Sequence, residues 1–99
     1  MWYLIIGCDA PDSLSRRLQA RPAHIERLLV LRDAGRLKLA GPLPAIDAED
    51  PGEAGFVGSA IIAEFDDFAA ARAWAQDDPY MESGVYESVQ VLPFRPVLP

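Results

Sequence analysis

Trp2-Tyr3-Leu4-Ile5-Ile6-Gly7-Cys8 is an apolar run of strand length, with no strongly polar residue on either parity. A strand with one face in water alternates apolar and polar residues, whereas a strand covered front and back does not. This run therefore reads as a strand buried on both faces. Phe56 to Phe65 reads the same way, with Val57, Ile61, Ala63 and Phe65 on one side and Ala60 and Ile62 on the other. Two such strands belong at the centre of a sheet.

Outward from the first strand, Asp9, Pro11 and Asp12 end it, and Asp12 or Ser13 can cap a short helical turn carrying Leu14 and Leu18. Pro22 is tolerated at the first position of a helix, so a second, longer helix is expected from there to Ala34. Its inner side would carry Ile25, Leu28, Leu29 and Leu31, with Gly35 as the stop. Leu37 to Leu43 is a strand whose Gly41 and Pro42 mark it as an edge or a bulge. After the acidic loop Pro44 to Gly55 and the Phe56 strand, Asp66 or Asp67 caps a helix with Phe68, Ala71, Trp74 and Ala75 as its buried stripe. Pro79 ends that helix, because the residue before a proline avoids the helical region. Val85 to Phe94 is the last strand, followed by a proline-rich tail.

The order strand, helix, strand, strand, helix, strand describes an α+β domain over residues 1–99, with one four-stranded antiparallel sheet. Right-handed crossovers place strands one and three side by side, the ferredoxin-like βαββαβ arrangement, with both helices on one face. The other face would then be apolar and bare, which a second copy of the sheet would cover. A homodimer is the expected state.

Composition narrows the function classes. The net charge of −6 argues against nucleic acid, since phosphate binding needs a basic surface. No stretch approaches the roughly 20 apolar residues that span a bilayer. Cys8 is the lone cysteine, so no disulfide framework or thiol metal cluster is expected, and the reading is a cytoplasmic protein. Charge is uneven, +3 up to Ile46 and −9 from Asp47 onward, which fits pairing across the fold or a locally basic pocket for an anionic small molecule.

No dinucleotide, phosphate-loop, nucleophile-elbow or zinc-protease motif is present, and no cofactor or metal site is expected. The loop from Asp47 resembles a calcium loop only superficially, with Gly58 where the bidentate Glu should stand. His24, the only histidine, falls on the border of the apolar face of its helix. Read in the first turn, it lies where the helix dipole favours a neutral ring, which at a pocket rim can act as a general base. Asp78 is the candidate partner: with Asp77 it closes the second helix, where negative charge opposes the dipole unless something compensates. The arginines Arg16, Arg17 and Arg21 precede His24 and can clamp a carboxylate or phosphate. Both sites have plainer readings: a hydrogen-bonded boundary histidine, and an Asp that forms a turn before Pro.

Several short stretches carry a resemblance to the YciI family over nearly the whole chain. They are Arg16-Arg17-Leu18, Arg21-Pro22-Ala23-His24, Gly35-Arg36-Leu37, Ala40-Gly41-Pro42, Ala54-Gly55-Phe56, Gly58-Ser59, Trp74-Ala75, Asp78-Pro79-Tyr80, Gly84-Val85-Tyr86 and Pro93-Phe94. The resemblance implies a ferredoxin-like dimer, the dimeric α+β barrel, and a His–Asp active site carried here by His24 and Asp78. Proteins of that fold include muconolactone isomerases, small monooxygenases and a dehydrochlorinase of chlorinated hydroquinones, while most YciI-like proteins have no assigned reaction.

The expectation is a small cofactor-independent enzyme. His24, oriented by Asp78, would move a proton on a small anionic or phenolic molecule, in an isomerase- or lyase-like step. Arg16 and Arg21 would neutralise its charge, Gly41 and Pro42 would shape the cavity wall, and Tyr80 would stand near the mouth. The alternative is a non-catalytic module that binds a small ligand or a protein through the same cavity.

Overall fold

The computed structural model describes the chain from Met1 to Pro99. Four strands, β1 (Trp2–Asp9), β2 (Leu37–Pro44), β3 (Phe56–Glu64) and β4 (Tyr86–Phe94), form one antiparallel sheet in the order β2-β3-β1-β4. The two strands apolar on both parities are the central pair, and the Gly-Pro strand is an edge, with register shifts near each of its ends. Helices α1 (Leu14–Asp33), α2 (Phe68–Gln76) and the single turn α3 (Pro79–Glu82) complete the ferredoxin-like α+β arrangement. No helix is long and apolar enough to cross a membrane.

The first helix is one element of 20 residues, not a short turn followed by a second helix. Pro22 lies inside it. The backbone bond that the proline removes would have gone to the Leu18 carbonyl, and Leu18 and Pro22 both face water, which can take that carbonyl. Ser13 stands at the N-cap position without a side-chain capping bond. At the other end Gly35, with φ of 72°, donates to Arg32 O, and Arg36 N reaches Leu31 O at 2.8 Å, the Schellman closure that a glycine stop permits. Asp67 caps α2 by accepting from Ala70 N at 2.8 Å. Leu29 and Phe68, expected on inner stripes, are exposed; Leu28, Leu31, Ala71 and Ala75 are the buried positions.

Register sorts the sheet residues into two faces. On the helix side, Ala40, Ile61, Ile5 and Val91 form one row across the four strands, and Leu28 and Leu31 of α1 pack with them in the core. On the other side, Leu39, Ile62, Leu4 and Leu92 form a row with no helix over it, and Leu39 is 67% exposed. Next along the helix side is Gly7, whose missing side chain is filled by the Tyr86 ring: a Cβ there would overlap Tyr86 Cζ. Gly7→Ala should therefore lower stability by about 1–3 kcal/mol, the usual range for an overpacked site. Denaturant unfolding checks it, and an unchanged midpoint would mean that the ring is free to move away.

Candidate functional site

Residues 17, 21, 24 and 28 lie four, three and four apart, so an unbroken α1 carries them as one stripe facing the sheet. Arg17, Arg21, His24 and Leu28 line a cavity of about 130 Å³, closed by Ile25, Ala40, Gly41, Pro42, Ser59, Ile61 and Tyr80. An engineered cavity of about 150 Å³ holds benzene, so this space suits a single ring or a smaller molecule. A wider groove of about 510 Å³ lies at the end of the sheet beyond Asp9, but Asp12, Glu53 and Glu87 line it and it holds no basic side chain.

His24 is 6% and Asp78 2% exposed. Nδ1 of His24 lies 2.9 Å from Asp78 Oδ1 and 3.0 Å from Oδ2. An ionised carboxylate only accepts, so Nδ1 carries the hydrogen and the lone pair of the neutral ring sits on Nε2. Nε2 retains access to the cavity, since it is not among the side-chain atoms that are buried without a partner. The ring is held flat against Tyr80, with centroids 3.9 Å apart and planes 9° from parallel.

Both residues sit differently from their expected places. Because α1 begins at Leu14, His24 is in the interior of the helix, and its setting comes from Asp78 and Tyr80 rather than from a helix terminus. Asp77 ends α2, whereas Asp78 is the N-cap of α3 and accepts from Tyr80 N at 2.8 Å. Pro79 holds Asp78 extended, with ψ of 134°, and itself occupies the first helical turn. The Tyr80 amide and His24 thus supply the compensation that a carboxylate just past the end of α2 needs.

Of the expected binding residues, Arg21, Gly41, Pro42 and Tyr80 line the cavity. Arg16 does not. One position out of phase with the stripe, it is exposed and donates to Gly84 O at 3.3 Å. Its neighbour Arg17 is the buried one. Arg17 Nε and Nη2 bind Asp9 at 2.8 and 3.1 Å, and Nη2 also donates to Gly58 O at 2.9 Å and Ser59 Oγ at 2.8 Å. Its guanidinium lies 4.8 Å from the Tyr80 ring centroid. Burial alone would push the Arg17 guanidinium down, but bonding to the Asp9 charge outweighs it and leaves it raised. Asp9, Arg17, Ser59 and Tyr86 were not foreseen as a cluster; the phase of an unbroken α1 would have found Arg17, and no local signal marks the others. No group of three or more His, Cys, Asp or Glu side chains is placed to share a metal ion.

The tyrosines beside this network keep their protons. Burial pushes the Tyr80 phenol up, and Arg17 and Arg21 draw it only part of the way back. Burial drives the Tyr86 phenol much further above its ordinary value of 10.0. The Tyr86 hydroxyl is buried beside Ser59, whose own hydroxyl accepts from Arg17.

A family model of the YCII-related domain matches residues 1–95. The chain is 57% identical over 97 residues to Protein YciI of Escherichia coli O6:H1, covering 98% of this chain and 99% of that protein. It is 50% identical over 97 residues to an uncharacterised protein of Haemophilus influenzae, with the same coverage. Among solved structures, it superposes with a TM-score of 0.83 on the 5-chloro-2-hydroxyhydroquinone dehydrochlorinase of Burkholderia phenoliruptrix AC1100, in complex with 2,5-dihydroxybenzoquinone. Identity there is 23%, over 96% of this chain and 94% of that one, a likeness of fold.

The raised phenol of Tyr86 makes a signed pH prediction. The unfolded chain releases that proton near the ordinary value of 10.0 and the folded chain only well above it. Stability is therefore intact below that value and falls as pH rises beyond it. In Tyr86→Phe the alkaline loss should be smaller, while stability at neutral pH should change by no more than about 1 kcal/mol, since the only group lost is a buried hydroxyl beside Ser59. Denaturant unfolding at pH 7 and pH 11 reads both; an unaltered alkaline limb would assign the loss to other groups.

Proposed function

The chain belongs to the YCII-related domain family, and on that premise we propose that it is a small-molecule enzyme in which His24, oriented by Asp78, transfers a proton. One observation supports this above the rest. Both oxygens of a buried carboxylate hold Nδ1, leaving Nε2 as the free base at a cavity of single-ring size. In the proposed step Nε2 takes a proton from an O–H, or from a C–H beside a carbonyl, and the electron pair left behind spreads as a phenolate or enolate. Asp78 stabilises the imidazolium, the orienting role such carboxylates play. Nε2–H then returns the proton to another atom of the same skeleton, an isomerisation. In the elimination form the pair left behind becomes a new double bond, the leaving group departs with the pair of the bond it breaks, and the proton passes to solvent.

Arg21 is suited to face the developing negative charge, because it lines the cavity and makes no ion pair, whereas Asp9 already neutralises Arg17. Gly41 and Pro42 close the wall from β2 without a bulky side chain. The dehydrochlorinase with a dihydroxybenzoquinone in its complex shares this fold, which makes hydroxylated hydroquinones and quinones the first compounds to test.

In His24→Ala the fold should persist while turnover of a converted compound falls by at least about 100-fold, the lower range for loss of a general base. His24→Gln should bind the compound but convert it as poorly as His24→Ala. Full turnover in either variant would remove His24 from the chemistry; in a ligand-binding module, His24→Gln would keep the whole function.

The sheet face opposite the site supports a homodimer. Leu39, Ile62, Leu4 and Leu92 cross all four strands there with no helix over them, and a second sheet laid on that face would bury them. Sedimentation at micromolar concentration should give a dimer, and Ile62→Glu a folded monomer, since Ile62 faces away from the helices. A monomeric parent chain would overturn this assembly.

A further inference from the structure

Arg27 lies three residues beyond His24 on α1, and its guanidinium is held from two sides. Nη2 donates to the Trp74 carbonyl at 2.9 Å, and the group lies over the Trp74 ring with Cζ 4.3 Å from the centroid. Nη1 is buried and has no hydrogen-bond partner. It stands 4.0 Å from Asp78 Oδ2.

Asp78 presents the matching gap. Oδ1 accepts from Tyr80 N at 2.8 Å and from His24 at 2.9 Å, while Oδ2 has only the second arm of the same Nδ1–H, at 3.0 Å. One hydrogen cannot satisfy both oxygens. A carboxylate oxygen and a guanidinium nitrogen, each short of a partner, thus face each other beyond hydrogen-bond length but well within Coulomb range.

We infer that Arg27 is a positioning residue of this site. Clamped to Trp74, it supplies the counter-charge that holds Asp78 ionised and in place. By drawing on the same carboxylate, it also limits how tightly Asp78 grips a protonated His24. The inference rests on the reading of His24 as the proton carrier. A carrier must release the proton as well as take it, and an imidazolium held by an uncompensated buried carboxylate would be a weak acid. The other groups around the pair do not substitute for Arg27. On α1, Arg17 is matched by Asp9 of β1, and Arg21 is exposed to water. Tyr80 of α3 and Tyr86 of β4 are neutral phenols, and Asp77 at the end of α2 is exposed.

Because His24 is the only histidine, NMR titration of its ring protons reads it alone, without any substrate. Arg27→Gln removes the charge; Arg27→Lys keeps it and loses the planar fork. Both should lose stability through Trp74. Only the Gln variant should raise the His24 midpoint, because it alone removes the positive charge that draws on Asp78. Arg27→Met serves in the same role if the Gln variant does not fold. A stability loss with an unmoved midpoint, or equal midpoint shifts in the Lys and Gln variants, overturns the inference and reduces Arg27 to a strut between helices. The readout needs no turnover, so failure of the enzymatic reading is seen separately, in the His24 variants.

Discussion

A carboxylate withdrawn from water must be met by donors, since an unpaired buried charge costs several kcal/mol. Asp78 is that carboxylate, and the groups that meet it join separate parts of the chain. The imidazole of His24 comes from α1 and the amide of Tyr80 from α3, while Arg27 of α1 stands nearby, fixed to Trp74 of α2. One buried anion therefore sets how three helical segments sit relative to one another over the sheet. Pro79 serves both ends of the arrangement: it holds Asp78 extended and starts the turn whose amide binds the same carboxylate.

A second buried ion pair anchors the other end of the stripe on α1. Arg17 binds Asp9 of β1, and through Gly58 and Ser59 it binds β3, so it ties the helix to both central strands. Tyr80 packs against both networks, stacked on His24 and near the Arg17 guanidinium. Buried ion pairs stabilise little beyond what apolar packing of the same volume would contribute. What these two secure is geometry: a ring pinned in one plane, one nitrogen occupied, and the other left to the cavity. Gly7 contributes by omission, since the space of its missing side chain is where Tyr86 lies.

The two faces of the sheet are built differently. The helix-side face continues from the core row of Ile5, Ile61 and Val91 to Ser59 beside the cavity, so the site is built on strands that the core already holds rigid. The opposite face carries the aliphatic row Leu39, Ile62, Leu4 and Leu92 across all four strands, and none of these side chains lines the cavity. The face proposed for assembly and the cavity proposed for chemistry therefore share no side chain of that row, so either can be altered without direct contact with the other.

The apolar pattern was legible because each strand repeats it locally. Two runs without polar alternation must take the central positions, and Gly41-Pro42 belongs on an edge, so the sheet order followed from the sequence. His24 and Asp78 were also named from sequence, though the reasons attached to their helix ends did not survive. Reading Pro22 as a helix start hid the stripe that joins Arg17 to His24, and so favoured Arg16, which points elsewhere. The sequence by itself determined the fold, because periodicity and turn chemistry act over a few residues. Only the tertiary structure decided which polar groups meet. Bonds such as His24 to Asp78, 54 positions apart, and Arg17 to Ser59, 42 apart, join segments brought together by packing, and they leave no periodic trace along the chain.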